Sequence, residues 1–203
     1  RELPPLDLIL LSHAHMDHFD KPSLWRLSRE AAVVTACGTR DLLRFMRFRE
    51  VRELPWEHTI TVSGRDGDLT ITAMGLRHWG ARYPWERHRS YNAYILERHG
   101  RRICFAGDTA RTDARKLARR GPIDLMLVPI SAYNPWITNH CTPEEAVEMA
   151  DEAGAKYVLP VHFETFKLSW EPLEEPIRRL AAALPPERLA LSRIGETFVL
   201  PLT

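Results

Sequence analysis

Apolar and polar residues alternate along this chain in short blocks, and the order of the blocks predicts an α/β protein. Residues 6–11 form an apolar run interrupted only by Asp7, as in a buried strand, and residues 12–20 end it with polar side chains. Pro22-Ser23 opens a helix-like stretch through Leu24, Trp25 and Leu27. Residues 31–36 read as a second short strand rich in Val, Thr and Ala, and residues 38–49 return to helical spacing through Leu42, Leu43, Phe45 and Met46. Turn residues at 63–67 separate residues 59–62 from the alternating Leu69, Ile71 and Ala73, which predicts a hairpin. A second hairpin is expected from residues 93–97 and 102–106, joined through His99-Gly100.

The last part alternates again. Residues 123–130 form an apolar strand, Thr142-Pro143-Glu144-Glu145 combines a capping box with proline in the first turn of a helix, and residues 157–161 are the next strand. A helical pattern over residues 171–184 ends at Pro185-Pro186, and residues 189–200 are expected to form one more strand pair around Gly195. No repeat, low-complexity segment or flexible linker divides the chain, so residues 1–203 are read as a single layered α/β domain.

Composition narrows the class. The chain has 203 residues, 44% hydrophobic and 27% charged, the usage of a globular domain with a full core. Lys and Arg number 28 against 27 Asp and Glu, a formal net charge of +1, so no bulk field draws in nucleic acid, and none is expected as a partner. The three cysteines, Cys37, Cys104 and Cys141, are far apart and odd in number. They close no disulfide framework and fit no paired-cysteine zinc spacing, which makes a reducing, cytoplasmic compartment the default. No apolar stretch reaches the roughly 18 to 20 residues that span a bilayer, and the first residues do not read as a signal peptide.

Chemistry concentrates directly after the first strand, in Ser12-His13-Ala14-His15-Met16-Asp17-His18-Phe19-Asp20. His13, His15, Asp17 and His18 place imidazole and carboxylate groups on one loop held by a buried strand, which is what a metal site requires. Four such groups in so short a loop do not fit comfortably around one tetrahedral ion, so two ions are expected. A two-metal site needs a further carboxylate able to bridge ions about 3.5 to 4 Å apart. His78, Asp108 and His162 each sit just past an apolar run, as the first loop does, and such strand ends converge on one pocket if the strands share a sheet.

These residues resemble a family. The loop matches the HxHxDH motif of the metallo-β-lactamase superfamily, and His78, Asp108 within Phe105-Ala106-Gly107-Asp108-Thr109, and His162 follow in the order of its remaining ligands. His78-Trp79, Pro129-Ile130-Ser131-Ala132-Tyr133, His140 before Thr142-Pro143-Glu144-Glu145-Ala146, and Pro160-Val161-His162-Phe163-Glu164-Thr165-Phe166 are similar to the branch of N-acyl-phosphatidylethanolamine-hydrolysing phospholipases D. The resemblance implies a four-layer αββα sandwich. The chain starts without Met and almost on the motif strand, so the N-terminal strands of the first sheet are expected to be absent from it. It further implies that His13, His15 and His78 hold one zinc, that Asp17, His18 and His162 hold the other, and that Asp108 bridges them. His140 resembles a histidine that contacts substrate. The segment from Gly80 to Tyr91 matches the branch only loosely and lies where substrate selection is expected.

The expected activity is therefore that of a binuclear metal-dependent hydrolase, in which two ions generate hydroxide from a shared water at neutral pH. Zinc fits a nitrogen and oxygen ligand set best, with manganese or iron as the alternatives. The expected substrate is a small or lipid-like phosphodiester. The alternatives are a lactonase acting on a phosphorylated sugar lactone, a non-catalytic metal-binding interaction module and, against the balanced charge, a nuclease. Membrane association and oligomeric state are left undetermined by the sequence. Tyr133 and Trp136 are candidate pocket walls, while His58, His88 and His99 read as surface, Cys104 as core, and Arg44, Arg47, Arg49 and Arg52 as a solvated face or an anionic-substrate rim.

Overall fold

The computed structural model describes residues 3–201. These form two compact units, the first comprising residues 3–75 and 79–98 and the second residues 76–78 and 99–201.

In the first unit, strands β1 (Leu8–Leu11), β2 (Ala32–Thr35) and β3 (Glu50–Glu53) run parallel in that order, with Leu8 opposite Ala32 and Ala32 opposite Glu50. β2 is buried along its whole length, as the continuous run Ala-Val-Val-Thr demands of a central parallel strand. β3 is an edge strand with one apolar side chain in Glu-Val-Arg-Glu, which is why the hydrophobic pattern did not predict it. Ile9, Leu11, Phe19, Leu24, Val33, Leu43, Met46 and Phe48 form the core on this sheet.

Both helices expected here are shorter than their spacing suggests. Helix α1 (Lys21–Leu24) is one turn, capped by the Asp20 carboxylate, which accepts the Ser23 N–H at 2.9 Å. The pattern over residues 38–49 yields a single 3-10 turn at Arg40–Leu43. Leu43, Met46 and Phe48 still reach the core, but Arg47 takes φ 54°, a left-handed conformation that no helix continues through. Strands β4 (Thr59–Gly64) and β5 (Gly67–Met74) make the predicted hairpin, closing on Gly64 opposite Gly67, where φ of 110° requires glycine. β6 (Ala93–Arg98) pairs antiparallel with β5, Met74 opposite Ala93.

The second unit carries strands β7 (Arg101–Phe105), β8 (Leu125–Pro129) and β9 (Tyr157–Val161), parallel, with Phe105 opposite Leu127 and Pro129 opposite Val161. Helix α2 (Pro143–Glu152) bridges β8 and β9. Its capping box is complete: the Thr142 hydroxyl accepts the Glu145 N–H, and the Glu145 carboxylate accepts the Thr142 N–H. α2 packs on β8 and on helix α3 (Glu175–Ala183). α3 starts four residues later than the pattern, because Pro172 and the inward-turned Glu171 occupy the chain before it. The strand pair expected over residues 189–200 does not form. Leu189 bridges to Val158 and the Ala190 N–H reaches the Val158 carbonyl, after which the Glu196 carboxylate accepts the Ser192 and Arg193 N–H groups and closes a local turn.

Candidate metal centre

In the first unit, the chain leaves β1 directly into the histidine loop. Ser12 and His13 are buried, and Phe19 inserts fully into the core, so both ends of the loop are fixed by packing. Inside it the His18 and Phe19 N–H groups both turn back to the His15 carbonyl, at 3.2 and 2.7 Å. The Ser12 hydroxyl lies 2.9 Å from His13 Nδ1, and His13 Nε2 lies 2.9 Å from His15 Nδ1. The His13 ring sits 4.4 Å from that of His15 and 4.3 Å from that of His18, and His18 Nε2 is 3.4 Å from an Asp17 carboxylate oxygen. The loop thus gathers His13, His15, Asp17 and His18, all candidate metal ligands.

The second unit gathers its polar groups at the carboxyl ends of three parallel strands, where α/β sheets place ligand sites. Gly107, at φ 61°, turns the chain out of β7 and presents Asp108; Ser131 follows β8; His162 follows β9, itself at φ 61°. Residues outside the glycines rarely adopt that backbone. The Ser131 hydroxyl donates to the His162 carbonyl. His78 is carried by a short crossing held at both ends of Arg77, whose N–H reaches the Thr109 hydroxyl at 3.1 Å and whose carbonyl accepts the Ala110 N–H at 2.8 Å. One Asp108 carboxylate oxygen lies 3.5 Å from His162 Nε2, 3.9 Å from His78 Nε2 and 4.0 Å from His140 Nδ1. His140 places its ring 5.2 Å from His78 and stacks on His162 at 5.4 Å.

These spacings test the fit to a metal. The separation from Asp108 to His162 is close to the roughly 3.4 Å between donors on a tetrahedral ion bonded at about 2.0 to 2.1 Å, and that to His78, at 3.9 Å, is longer than a hydrogen bond. His78 Nδ1 lies 2.9 Å from the Asn139 carbonyl, a group that only accepts, so Nδ1 carries a proton, and in the neutral ring Nε2 would offer its lone pair to a cation. The donor set fits.

The remaining residues singled out by the sequence fall elsewhere. His58, His88 and His99 are exposed, as read. Cys104 is fully buried, and burial pushes its thiol up to about 12. Tyr133 is largely buried, its hydroxyl donating to Glu175 at 2.8 Å beside the Arg179 guanidinium, so it ties a loop to α3; Trp136 is half exposed. Arg44, Arg47, Arg49 and Arg52 are exposed, and Arg40, Arg44 and Arg47 rim a shallow cleft floored by Leu43, Phe48 and Val51.

Sequence reasoning missed three buried or half-buried charged residues that hold loops. Arg89 pairs with Asp41 and Glu86, both at 2.6 Å, and donates to the Gly38 carbonyl. Glu171 accepts the Ala132 N–H at 2.6 Å, the Ser169 hydroxyl at 2.7 Å and the Asn134 N–H at 3.3 Å. Arg82 spans the histidine loop. None of the three carries a local signal of burial in the sequence.

The fold and the strand-end histidines and aspartates define a class. Residues 1–163 match the family model described as the beta-lactamase superfamily domain, and the chain belongs to the metallo-β-lactamase superfamily of metal-dependent hydrolases. An uncharacterized protein of Mycobacterium tuberculosis is 32% identical over 200 residues, covering 94% of this chain and 53% of its own length. The mitochondrial N-acyl-phosphatidylethanolamine-hydrolyzing phospholipase D of Saccharomyces cerevisiae is 32% identical over 190 residues, 88% of this chain and 41% of that protein. A metallo-β-lactamase fold protein of Bacillus subtilis superposes with a TM-score of 0.65 at 17% identity, over 91% of this chain and 74% of that one. The chain therefore has the metallo-β-lactamase α/β fold and spans about half the length of the curated relatives it matches.

Proposed function

We propose that this chain is the metal-binding part of a binuclear hydrolase that cleaves a phospholipid-like phosphodiester. Zinc is the proposed metal, drawn from the ligand groups His13, His15, Asp17 and His18 and the groups His78, Asp108 and His162. The observation that carries the reading is the Asp108 carboxylate, set among imidazoles at the ends of parallel strands. The likeness to the yeast phospholipase D supports the substrate class.

Bound metal supplies Lewis acidity and lowers the pKa of a coordinated water. The chain's own groups do the positioning. Asn139 fixes the His78 tautomer, Ser131 fixes the backbone that presents His162, and Asp108 offers one carboxylate to several neighbours. His140, next to Asp108, is proposed to hold the proton that the departing alkoxide takes.

Elemental analysis of the purified chain is expected to find about two ions, with zinc separated from iron and manganese by the same measurement. A substrate panel of an N-acylated phosphatidylethanolamine, a chromogenic phosphodiester, a phosphorylated lactone and a thioester is expected to show turnover of the first two. Full metal loading with hydrolysis of the lactone alone would overturn the substrate class and keep the metal reading.

A further inference from the structure

Residues 79–92 of the first unit contain no helix or strand, yet they are pinned along their length to the loops that follow β1 and β2. The Ser90 N–H donates to the Cys37 carbonyl at 2.9 Å, and the Asn92 N–H donates to the Ser12 carbonyl at 2.8 Å. Arg89 is locked by Asp41, Glu86 and the Gly38 carbonyl, and Glu86 in turn accepts the Tyr83 N–H at 3.0 Å. Gly80 lies so close to the Ser90 carbonyl that a Cβ there would overlap it. This is a strap with its own rigid base.

From that strap Arg82 reaches the histidine loop. A single guanidinium nitrogen, Nη1, donates to the Ala14 carbonyl at 3.1 Å and to the Phe19 carbonyl at 3.0 Å. Arg82 makes no ion pair within 4.0 Å among the described residues, and its guanidinium hydrogen bonds go to these two carbonyls. Ala14 and Phe19 are fully buried, and they bracket His15, Asp17 and His18, with His13 one residue before. Two buried carbonyls converging on one point repel each other unless a donor lies between them, and leaving either without a partner costs free energy. Arg82 supplies that donor to both carbonyls. Trp79, at the start of the same strap, sets its ring 4.7 Å from the His15 imidazole and limits that ligand from a second side.

We propose that Arg82 is a positioning residue of the metal site, closing the loop so that its three histidines and aspartate stand at ligand spacing. The proposal rests on the reading of that loop as a ligand loop. Groups that orient metal ligands without touching the ion are commonly worth about 10- to 100-fold in metal affinity, and Arg82→Gln is expected to lose that much. Arg82→Lys keeps a cation whose three N–H groups can serve both carbonyls and is expected to recover most of the affinity.

The test is chelator competition for Zn2+ and the visible absorption of the Co2+-loaded full chain, with Arg65→Gln as control, since it removes an exposed pair with Asp7 in the same unit. The expected result is weakened binding and an altered cobalt spectrum in Arg82→Gln only, with Arg82→Lys close to the parent. Unchanged affinity and spectrum in Arg82→Gln, or equal loss in Arg82→Lys and Arg82→Gln, overturns the proposal. If Arg82→Gln does not fold, Arg82→Ala titrated with methylguanidinium decides: return of the cobalt spectrum supports it, and a folded protein that shows no return overturns it. A parent chain that takes up no metal sinks the ligand reading itself, a result distinct from a parent that binds and a variant that binds equally well.

Discussion

Asp108 is the residue on which most of the site's chemistry bears. Its carboxylate is buried and lies within 4.0 Å of three imidazoles, so removing it takes away an anion that all three face. Asp108→Ala is expected to abolish turnover and lower metal content below the parent value, measured together by elemental analysis and initial rates. Retention of two ions with full turnover would remove it from the site. His140→Ala is expected to behave differently, cutting the rate by about 10² to 10⁴ while metal content stays constant, as for loss of a positioned acid or base. Asp108 was singled out in the sequence because it sits just past an apolar run, as His78 and His162 do, whereas His140 was singled out only by the family resemblance. Arg82 and Glu171 were not, because a buried Arg or Glu is revealed by the partners it finds in the fold, and no spacing rule links Arg82 to Ala14 or Glu171 to Ala132.

At the scale of elements, apolar runs located β1, β2, β8 and β9 well, and the hairpin of β4 and β5 followed from its turn residues. The helical spacing before β3 misled because Leu43, Met46 and Phe48 reach the core from a 3-10 turn and a loop while Phe45 stays exposed, so their burial needed no helix. The capping box at Thr142 was read correctly, since a cap is a local contract between four neighbouring residues. Thr142→Ala is expected to lower stability by about 0.5 to 2 kcal/mol in urea unfolding, the usual range for a lost cap. The tail shows the opposite case, where local polar contacts replaced an expected strand pair. The Ser192 N–H, then the Arg193 guanidinium and N–H, hold the Glu196 carboxyl at about 2, below its ordinary 4.5. A carboxyl depressed in the folded state contributes its stabilisation above the unfolded value and loses it as pH falls through the folded one. The turn is therefore expected to be intact above about pH 4.5 and to open on acidification toward pH 2, which NMR titration of Glu196 and the Ser192 amide would follow. A Glu196 titration centred at 4.5 would show that the turn does not form in solution.

For the whole molecule, family membership states the chemistry more firmly than the substrate, because the chain covers only 53% of the Mycobacterium tuberculosis relative and 41% of the yeast phospholipase D. No helix among the described residues is long and apolar enough to cross a membrane. What the chain itself can be asked is whether metal belongs to its folded state. His13 is buried with its Nε2 2.9 Å from His15 Nδ1, and Asp108 is buried beside His162 and His78; in each cluster several donors that water would otherwise solvate are held close together. A cation that binds these groups when folded, and not in the unfolded chain, stabilises the fold by mass action, by about 2.7 kcal/mol at a free concentration 100 times its dissociation constant. Removal of metal by a chelator is therefore expected to lower the melting temperature, and added Zn2+ to restore it in a concentration-dependent way. Mg2+, which prefers oxygen ligands and keeps its waters, is expected to restore little. Differential scanning calorimetry of the stripped chain with each ion reads the order directly, and equal melting temperatures with Zn2+, with Mg2+ and with neither would mean that the two clusters do not bind zinc in the folded protein.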